Sequence, residues 1–475
     1  MHTIETDYLV IGAGASGMAF VDALIEAADV DVVLVDRRHQ PGGHWLDAYP
    51  FVRLHQPSAY YGVNSSPLGS DRRMTTGPEV GWYERASGPE LCDYYRRVLD
   101  ERLLPSGQVR YFGPTEYAGE DPDGHLLVSR LSGRPTRVVV RRAIVDATYV
   151  ESTIPSRHVR SFAVDDGVTI VSPNQLVDVV DGSKGFTVLG GGKTAMDTCG
   201  WLLERGVDPD EISWIRPRDG WFVSRAHTQP LELSPSMLDY QSRMIEAASG
   251  ARSGLDLTLR LEAHDMMLRI DRDVDPQVYR GATISRSELE QLRSIERVVR
   301  LGYVQSISEG RVHLTSGVLD VRPGTVHVDC TAPGLSTSRR RPIFSSRRIT
   351  LQFTTMGVAP WSAALLGFVA SLDVPVEEKN RWCPALGRIG TIDSQLELLR
   401  DGLPLEMLRR TIPELAEWNA TARLNPGRSI PEHLGDPAAQ RSMERLLEHY
   451  EAAIVNLEGL VGSTAASRAV RQLAR

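Results

Sequence analysis

Two short stretches decide the fold of this chain of 475 residues: Tyr8-Leu-Val-Ile-Gly-Ala-Gly-Ala-Ser-Gly17 and Phe186-Thr-Val-Leu-Gly-Gly-Gly-Lys-Thr-Ala195. Each begins with apolar residues typical of a buried strand, passes through closely spaced glycines, and continues into residues that favour a helix. A strand, a glycine turn and a helix in this order form the unit that holds the pyrophosphate of a dinucleotide. Because the unit occurs twice, we expect one chain to bind two dinucleotides.

In the first unit each glycine has a separate role. Gly12 permits the tight turn out of the strand, Gly14 lets the backbone approach a pyrophosphate, and Gly17 lets the helix pack closely on the strand. The helix that follows, at about 16–28, directs its positive end towards the phosphates. A second strand, 30–35, ends at Asp36, 19 residues after Gly17, where a carboxylate accepts hydrogen bonds from a ribose. The alternative is a purely structural strand–helix–strand unit.

The second unit repeats this plan with a different strand end. Ala195 takes the place of the third glycine, a helix is predicted at about 194–205, and the strand 212–215 ends in Arg216-Pro-Arg218. Arg216 thus stands where Asp36 stands in the first unit. Guanidinium groups pair with a 2′-phosphate, which a carboxylate repels, so NADPH is favoured over NADH. The alternative is that these arginines are solvated charges at a strand end.

Composition restricts the class of protein. The net charge of −8 argues against nucleic acid or an anionic membrane surface as a partner. The longest apolar run, 363–370, is too short to span a bilayer, and a first strand beginning by residue 8 leaves no room for a signal peptide. The four cysteines form no CxxC pair and the twelve histidines show no ligand spacing. We therefore expect a cytoplasmic protein without a metal site.

The order of segments predicts an α/β fold with two dinucleotide-binding, Rossmann-like, three-layer domains, the second inserted in the first. Residues 1–150 and 333–475 are expected to form the first domain, with a helical C-terminal part, and 151–332 the second. A mostly helical insertion is predicted at about 219–302, with 285–299 as an example of its helical pattern. This insertion is suited to a substrate lid or to a homodimer contact, and the sequence leaves both open. The long irregular stretch 40–88 has little periodicity, and such loops are usually functional.

Residues after Asp36 resemble those of a known family. Pro41-Gly-Gly-His-Trp45 and Tyr49-Pro-Phe-Val-Arg53 are similar to the Pro-Gly-Gly-x-Trp and Tyr-Pro-Gly-x-Arg segments of class B flavoprotein monooxygenases, which include the flavin-containing, Baeyer–Villiger and N-hydroxylating enzymes. The resemblance covers about 5–335. Phe51 replaces a glycine of this pattern, and 162–175 lacks the histidine of the Baeyer–Villiger fingerprint. The chain therefore resembles a divergent member, without support for a ketone-oxidising specificity.

The resemblance implies FAD on the first unit and NADPH on the second. Residues expected at the FAD site are Gly12, Gly14, Ala15, Ser16, Gly17, Asp36, Arg37, Gly43, His44, Trp45, Val109, Ala147, Thr148 and Met356. Residues expected at the NADPH site are Gly190, Gly192, Lys193, Thr194, Arg216 and Arg218. The loop 54–64 would run beside the flavin ring, which makes His55, Gln56 and Asn64 the candidate catalytic residues. For His55 and Asn64 a structural role in the loop is the alternative.

The same resemblance implies a reaction. NADPH would reduce FAD, the reduced flavin would react with O₂ to give a C4a-(hydro)peroxide, and this would oxidise a small organic substrate. One alternative is an NADPH-dependent flavin reductase or dehydrogenase that inserts no oxygen. Another is a non-catalytic flavin-binding sensor.

Overall fold

The computed structural model describes residues 2–181, 183–335 and 339–463, with strands and helices numbered here in chain order. The first part of the chain contains β1 (His2–Ile11), α1 (Ala15–Ala27), β2 (Val32–Val35), α2 (Gly88–Arg97), β3 (Val109–Phe112), β4 (Thr115–Asp121), β5 (Gly124–Ser129) and β6 (Pro135–Asp146). These strands form one sheet in the order β3-β2-β1-β6-β5-β4. Strands β1, β2, β3 and β6 run parallel, while β4 and β5 form an antiparallel meander on β6.

A second sheet is built by the middle of the chain. Its region contains β7 (Ser152–Thr153), β8 (Ala163–Val164), β9 (Ile170–Val171), α3 (Pro173–Val179), β10 (Phe186–Leu189), α4 (Lys193–Glu204), β11 (Ile212–Ile215), β12 (Gly220–Ser224), α5 (Ser234–Gly250), α6 (Gly254–Glu262), β13 (Met267–Arg269), β14 (Val278–Ile284), α7 (Arg286–Arg293), β15 (Val298–Val299), β16 (Val304–Ser308), β17 (Arg311–Leu314), β18 (Gly317–Asp320), β19 (Val326–Asp329) and β20 (Gly334–Leu335). The parallel order is β15-β11-β10-β19-β9. Strands β7 and β20, where the chain crosses between the sheets, pair with each other.

The chain then returns to the first sheet. This last part contains β21 (Arg348–Thr350), α8 (Ala359–Ser371), α9 (Val376–Trp382), α10 (Ile392–Arg410), α11 (Pro413–Thr421) and α12 (Pro437–Val461). Strand β21 adds to β6 in parallel, and α8 packs against α1. The two helices approach so closely at Gly367 that a Cβ there would lie 2.3 Å from the carbonyl oxygen of Phe20. Helices on one face and an antiparallel meander on the other make three layers, which confirms the predicted fold class.

The insertion differs in detail from the helical pattern expected of it. The helix predicted over 285–299 ends with α7 at Arg293, and Val298–Val299 instead form β15, paired in parallel with Trp214 and Ile215. That part of the prediction was wrong because β-branched residues at the edge of a sheet gain more from strand pairing than from extending a helix. The insertion also contains a small sheet in the order β13-β12-β14.

Helix α10 shows the apolar face that its sequence predicts. Ile392, Leu396, Leu399 and Leu403 are buried in one cluster with side chains of α5, α6 and α12. On α12, Leu447 stays 67% exposed although its sequence neighbour Leu446 packs inward. The C-terminal helices therefore cover the insertion and join it to the first sheet.

Candidate dinucleotide sites

The first glycine turn, between β1 and α1, exposes backbone where a side chain would not fit. Gly12 has φ +101°, a conformation that favours glycine. A Cβ on Gly17 would lie 1.9 Å from the carbonyl oxygen of Gly12, and one on Gly43 would lie 2.8 Å from Cα of Gly14. Gly43 belongs to the Pro41–Trp45 segment, so the structure brings that segment directly over the turn. The result is a cradle walled by main chain.

The N-termini of α1 and α4 share a property that the other α-helices of the described residues lack. Both begin at a glycine with no side-chain cap and have no acidic residue and no proline in the first turn. Every other described α-helix has a capping side chain, a proline or an acid there. The first amide groups of a helix need an acceptor. At α1 and α4 none of the described side chains supplies one, which leaves these donors for an anionic ligand.

Asp36 and the strand exit at Ala147 complete the first turn. The carboxylate of Asp36 is buried and accepts hydrogen bonds from the backbone N–H of Ala13 at 2.7 Å and of Arg38 at 2.8 Å. Each carboxylate oxygen has a further lone pair, so the group can still accept from a ribose hydroxyl. A Cβ on Gly12 would lie 3.0 Å from the side chain of Thr148 and 3.7 Å from that of Ala147.

Two other residues expected at this site lie further from the turn. Val109 is buried in β3, opposite Val32 in the register of the sheet. The side chain of Arg37 is 40% exposed and forms an ion pair with Glu151. Arg37 therefore ties the end of β2 to the crossing segment near residue 150.

The starts of α1 and α8 converge beside a small cavity. The cavity measures about 10 Å³, room for one water, and Ser16, Ala359 and Ala363 are among its lining residues. Near the start of α8, the buried Trp361 has an indole N–H without a hydrogen-bond partner among the described residues. Met356 precedes α8 and packs against Gly402 of α10, where a Cβ would lie 2.5 Å from its sulfur. The positive end of α8 thus faces the same region as the first turn.

The loop 40–88 lies over this region and is fixed from several sides. The Nε1–H of Trp45 donates to the hydroxyl of Tyr61 at 3.0 Å. Burial, with a smaller contribution from Arg38, lowers the pKa of the neighbouring His44 to about 4, so its imidazole is neutral at pH 7. Arg423 donates to the carbonyl oxygens of Ala59, Tyr61 and Val63. The chain following α11 therefore clamps the loop.

Asn64 also contacts the segment that follows α11. Its Oδ1 accepts from the backbone N–H of Leu424 at 3.5 Å. Next to it, the backbone N–H of Ser65 donates to Asp22 of α1 at 2.9 Å, and Asp22 is fully buried. Asn64 thus lies between α1 and the C-terminal segment, whereas His55 lies on the side that faces the second sheet.

The second glycine turn packs tightly in its first half and is open in its second. Gly190 has φ +125°, and a Cβ there would lie 2.8 Å from the carbonyl oxygen of Cys330. A Cβ on Gly191 would lie 2.4 Å from the carbonyl oxygen of Arg218. A Cβ on Gly192 would meet nothing within 4 Å. The open space thus begins at the residue that precedes α4.

Lys193 and Thr194 begin α4 and face the first half of the chain. Lys193 forms an ion pair with Asp197 one turn later. Asp197 also accepts a hydrogen bond from the hydroxyl of Tyr49 at 2.7 Å, and Tyr49 belongs to the loop 40–88. Phe51 of the same loop stacks on Trp201 of α4 with ring centroids 4.9 Å apart. The loop that covers the first turn therefore also contacts the helix of the second.

The structure gives Arg216 and Arg218 different surroundings. Arg216 is 2% exposed, its guanidinium stacks on Trp214 at 4.8 Å, and its Nε lies 2.9 Å from Asp219. Arg218 is exposed, 5.9 Å from the centroid of the Tyr303 ring. Of the two arginines, Arg218 is accessible to a ligand, while Arg216 packs against the glycine turn at Gly191.

His55 lies in a charged junction between the two halves. Its backbone carbonyl accepts from Nε of Arg225 at 2.7 Å and from the hydroxyl of Thr283. Arg225 is 1% exposed and forms ion pairs with Glu79 and, at 2.8 Å, with Glu288. Burial, reinforced by nearby cations including Lys193, lowers the pKa of His55 to about 3. The His55 imidazole is therefore neutral at pH 7.

Glu288 shows how strongly this junction is charged. Burial alone would raise its pKa, but the charges of Arg225, Lys193 and Arg85 outweigh burial and hold the pKa at about 2. Arg85 adds ion pairs of 3.0 Å to Glu79 and 3.5 Å to Glu288. The half-buried Gln56 follows His55 directly in this segment.

Sequence reasoning missed most of the junction. Glu79, Asp197, Arg225 and Glu288 belong to no recognisable motif and are distant in sequence. Tyr49 begins a recognised segment, but that segment does not reveal the contact of Tyr49 with Asp197. The one usable signal was the spacing of Lys193 and Asp197, four residues apart on a predicted helix, which favours an ion pair. Arg225, within the insertion, has no local pattern that marks it as buried.

Comparisons with known proteins agree with this geometry. A model of the NAD(P)-binding Rossmann-like domain matches residues 10–64. A polycyclic ketone monooxygenase from Thermothelomyces thermophila has a similar structure, with a TM-score of 0.52 and 13% identity over 99% of this chain and 88% of that one. A steroid monooxygenase, solved bound to NADP, gives a TM-score of 0.50 and 13% identity over 78% of this chain and 84% of that one. The predicted resemblance to class B flavoprotein monooxygenases is thus confirmed at the level of the fold.

In the part of the chain that the structure describes, none of the helices has the length and apolar character needed to cross a bilayer. Uncharacterized protein Rv2000 of Mycobacterium tuberculosis is 42% identical over 430 residues, which cover 89% of this chain and 78% of that protein. The chain has the fold of the two monooxygenases named above, and it belongs to the same family as this mycobacterial protein.

Proposed function

We propose that this protein is an FAD-dependent, NADPH-reduced monooxygenase that oxidises a small organic substrate with O₂. The observation that carries the proposal is the pair of uncapped helices, α1 and α4, each starting at a glycine turn at the end of a parallel strand. Two such turns in one chain suit two dinucleotides that exchange electrons. The two monooxygenases of similar structure have the same fold, and one was solved with NADP bound.

The residues around the first turn fit FAD. The backbone of Gly12 to Gly17 and of Gly43 forms a cradle that a single methyl group would fill, which suits a pyrophosphate. Asp36 retains lone pairs for the ribose. The positive end of α8 and the unpartnered indole N–H of Trp361 suit the polar edge of a flavin that becomes negatively charged on reduction.

In this proposal the chain's own residues bind, orient and exclude water. Bound FAD supplies hydride acceptance and oxygen activation, and the protein determines where these occur. The loop 54–64, clamped by Arg423, covers the region where the first turn and the start of α8 converge. His55, neutral at pH 7, can orient a ligand through a hydrogen bond, with Gln56 beside it. The structure gives Asn64 a clamping contact to Leu424, which favours a structural role in the loop.

The second turn fits the phosphates of NADPH. The space beside Gly192 is open, and the first amides of α4 have no protein acceptor. Lys193 and Thr194 stand at this helix start, where a cation and a hydroxyl favour phosphate. Arg218 is the exposed guanidinium for a 2′-phosphate, and Arg216 positions the turn from below by its contact with Gly191.

One experiment tests the proposal. The protein is purified, its flavin is released and identified, and the flavin is reduced with NADPH without oxygen. Mixing with aerated buffer should then give a transient absorbance band distinct from oxidised and reduced flavin. Direct reoxidation without this band, together with rapid turnover of an added electron acceptor, would indicate the reductase instead. A colourless protein that takes up no FAD would contradict both.

A further inference from the structure

A cavity in the insertion, away from both glycine turns, is lined by four arginines. It measures about 330 Å³, within the usual size range of sites for small ligands. Arg269, Arg272, Arg286 and Arg293 line it, with two acids, Glu262 and Asp265. No residue expected at either dinucleotide site belongs to it. The lining side chains therefore have a net charge of +2.

The arginines differ in how far the protein neutralises them. Arg269 pairs with Glu262 at 2.9 Å and Arg286 with Asp265 at 2.5 Å. Arg272 and Arg293 have no carboxylate partner among the described residues. Two positive charges are thus left facing a cavity, and an anion would neutralise both.

Arg293 is already held in place. Its Nε donates to the carbonyl oxygen of Ile270 at 2.7 Å, and its Nη2 donates to that of Arg269 at 2.9 Å. Burial, and then the like charges of Arg272 and Arg286, lower the pKa of Arg293. These two bonds use Nε and Nη2, and a guanidinium fixed in this way loses little conformational freedom when it binds an oxyanion.

The rest of the wall is apolar. The half-buried Leu259 and the exposed Ala263 offer accessible apolar surface, while Leu268 and Leu289 in the same lining are buried. An inorganic ion has no apolar surface to bury against this wall. An anion with an apolar part gains binding free energy when that part is buried there.

We propose that this cavity is a binding site for a small organic dianion of the phosphate monoester class, with the oxyanion at Arg272 and Arg293 and an apolar portion on Leu259 and Ala263. The site is independent of the monooxygenase proposal, because it shares no residue with the dinucleotide sites. Helix α7, which carries Arg286 and Arg293, also carries Glu288 of the junction.

Isothermal titration calorimetry of the purified full-length protein at low ionic strength tests the site, with saturating NADP⁺ present so that the nucleotide turn is filled. Phenyl phosphate is the probe, inorganic phosphate tests the apolar portion, and benzoate tests the second negative charge. We expect one phenyl phosphate per chain, bound about tenfold or more tightly than either of the other two.

Two variants and a control locate the site. Arg272→Ala removes an exposed side chain. Arg293→Lys keeps the positive charge but loses the paired N–H donors of the guanidinium. Each variant should weaken phenyl phosphate binding about tenfold or more. Arg252→Ala, at an arginine whose side chain is 86% exposed elsewhere in the insertion, should leave it unchanged. Absence of binding under these conditions, equal affinity for all three probes, or equal weakening by Arg252→Ala would overturn the proposal.

Discussion

Replacing Gly192 with alanine should abolish tight NADPH binding while leaving the fold intact. Gly192 precedes α4 with φ −91° and ψ −179°, a conformation open to any residue. A Cβ there meets nothing within 4 Å, so the methyl group would occupy the open space beside the turn. In the proposed function that space holds the pyrophosphate of NADPH, whose oxygens must approach the first amides of α4.

The size of the effect follows from the hydrogen bonds that the methyl group would lengthen. A hydrogen bond between a backbone N–H and a charged phosphate contributes about 1.5–3 kcal/mol. Losing one such bond weakens binding by about tenfold to 150-fold, at about 1.4 kcal/mol per factor of ten. The free energy of unfolding should change by no more than about 1 kcal/mol. Alanine is a poorer residue than glycine at the start of a helix, but it also makes the unfolded chain less flexible, and the two effects offset each other.

The assay compares three readouts in the wild type, Gly192→Ala and a control variant. The control is Gly200→Ala in the same helix, where a Cβ also meets nothing within 4 Å and should stabilise the helix by about 0.5–1 kcal/mol. The readouts are the Kd for NADPH, the FAD content and the Tm. We expect only Gly192→Ala to lose NADPH affinity, with FAD content unchanged. Unaltered NADPH affinity would refute the placement of the pyrophosphate, and equal loss in Gly200→Ala would show that the effect is structural.

Three further outcomes follow from other parts of the structure. Arg218→Ala should raise the KM for NADPH about tenfold and leave that for NADH unchanged in steady-state kinetics, because the exposed guanidinium meets only the 2′-phosphate; equal effects on both would count against this role. Glu288 has a pKa of about 2 in the folded protein, below its usual 4.5. Its ionised form therefore adds at most about 3 kcal/mol to the free energy of unfolding, and this contribution is present above pH 5 and lost as the pH falls towards 2. Urea unfolding should therefore show the wild type losing its advantage over Glu288→Gln across that range, and a constant difference would contradict the shifted pKa. Gly367→Ala should lower the Tm through about 1–3 kcal/mol of overpacking against Phe20, and an unchanged Tm would contradict the close approach of α1 and α8.

The elements around both glycine turns could be predicted from the sequence to within two residues. Helix α1 was expected at about 16–28 and lies at Ala15–Ala27, and α4 was expected at about 194–205 and lies at Lys193–Glu204. Apolar strands, glycine spacing and helix periodicity all indicate the same local structure there, and such agreement makes a segment predictable. Strand β4 (Thr115–Asp121) was not predicted, because its exposed face carries Glu and Asp, which are uncommon in strands.

Tertiary contacts decided the parts that could not be predicted. The sequence shows Arg216 in the position of a phosphate-binding arginine, but not that Asp219 and Trp214 enclose its guanidinium. Arg218, two residues later, takes the exposed position. Local sequence specifies that an arginine follows the strand; which of two arginines is buried depends on how the insertion folds back over the strand end.

The junction explains why a neutral His55 is compatible with the proposed site between two dinucleotides. Arg225, Arg85 and Lys193 concentrate positive charge beside the loop, and Glu79, Glu288 and Asp197 balance it. A protonated imidazole would add an unbalanced charge to a buried network, and the low pKa of about 3 shows that the site disfavours it. The loop can therefore be held by the hydrogen bond from the guanidinium of Arg225 to the backbone carbonyl of His55 while the imidazole stays uncharged. Since the same loop contacts α4 through Tyr49 and covers the first turn through Gly43, the network fixes the spacing between the two turns, on which any hydride transfer between their ligands would depend.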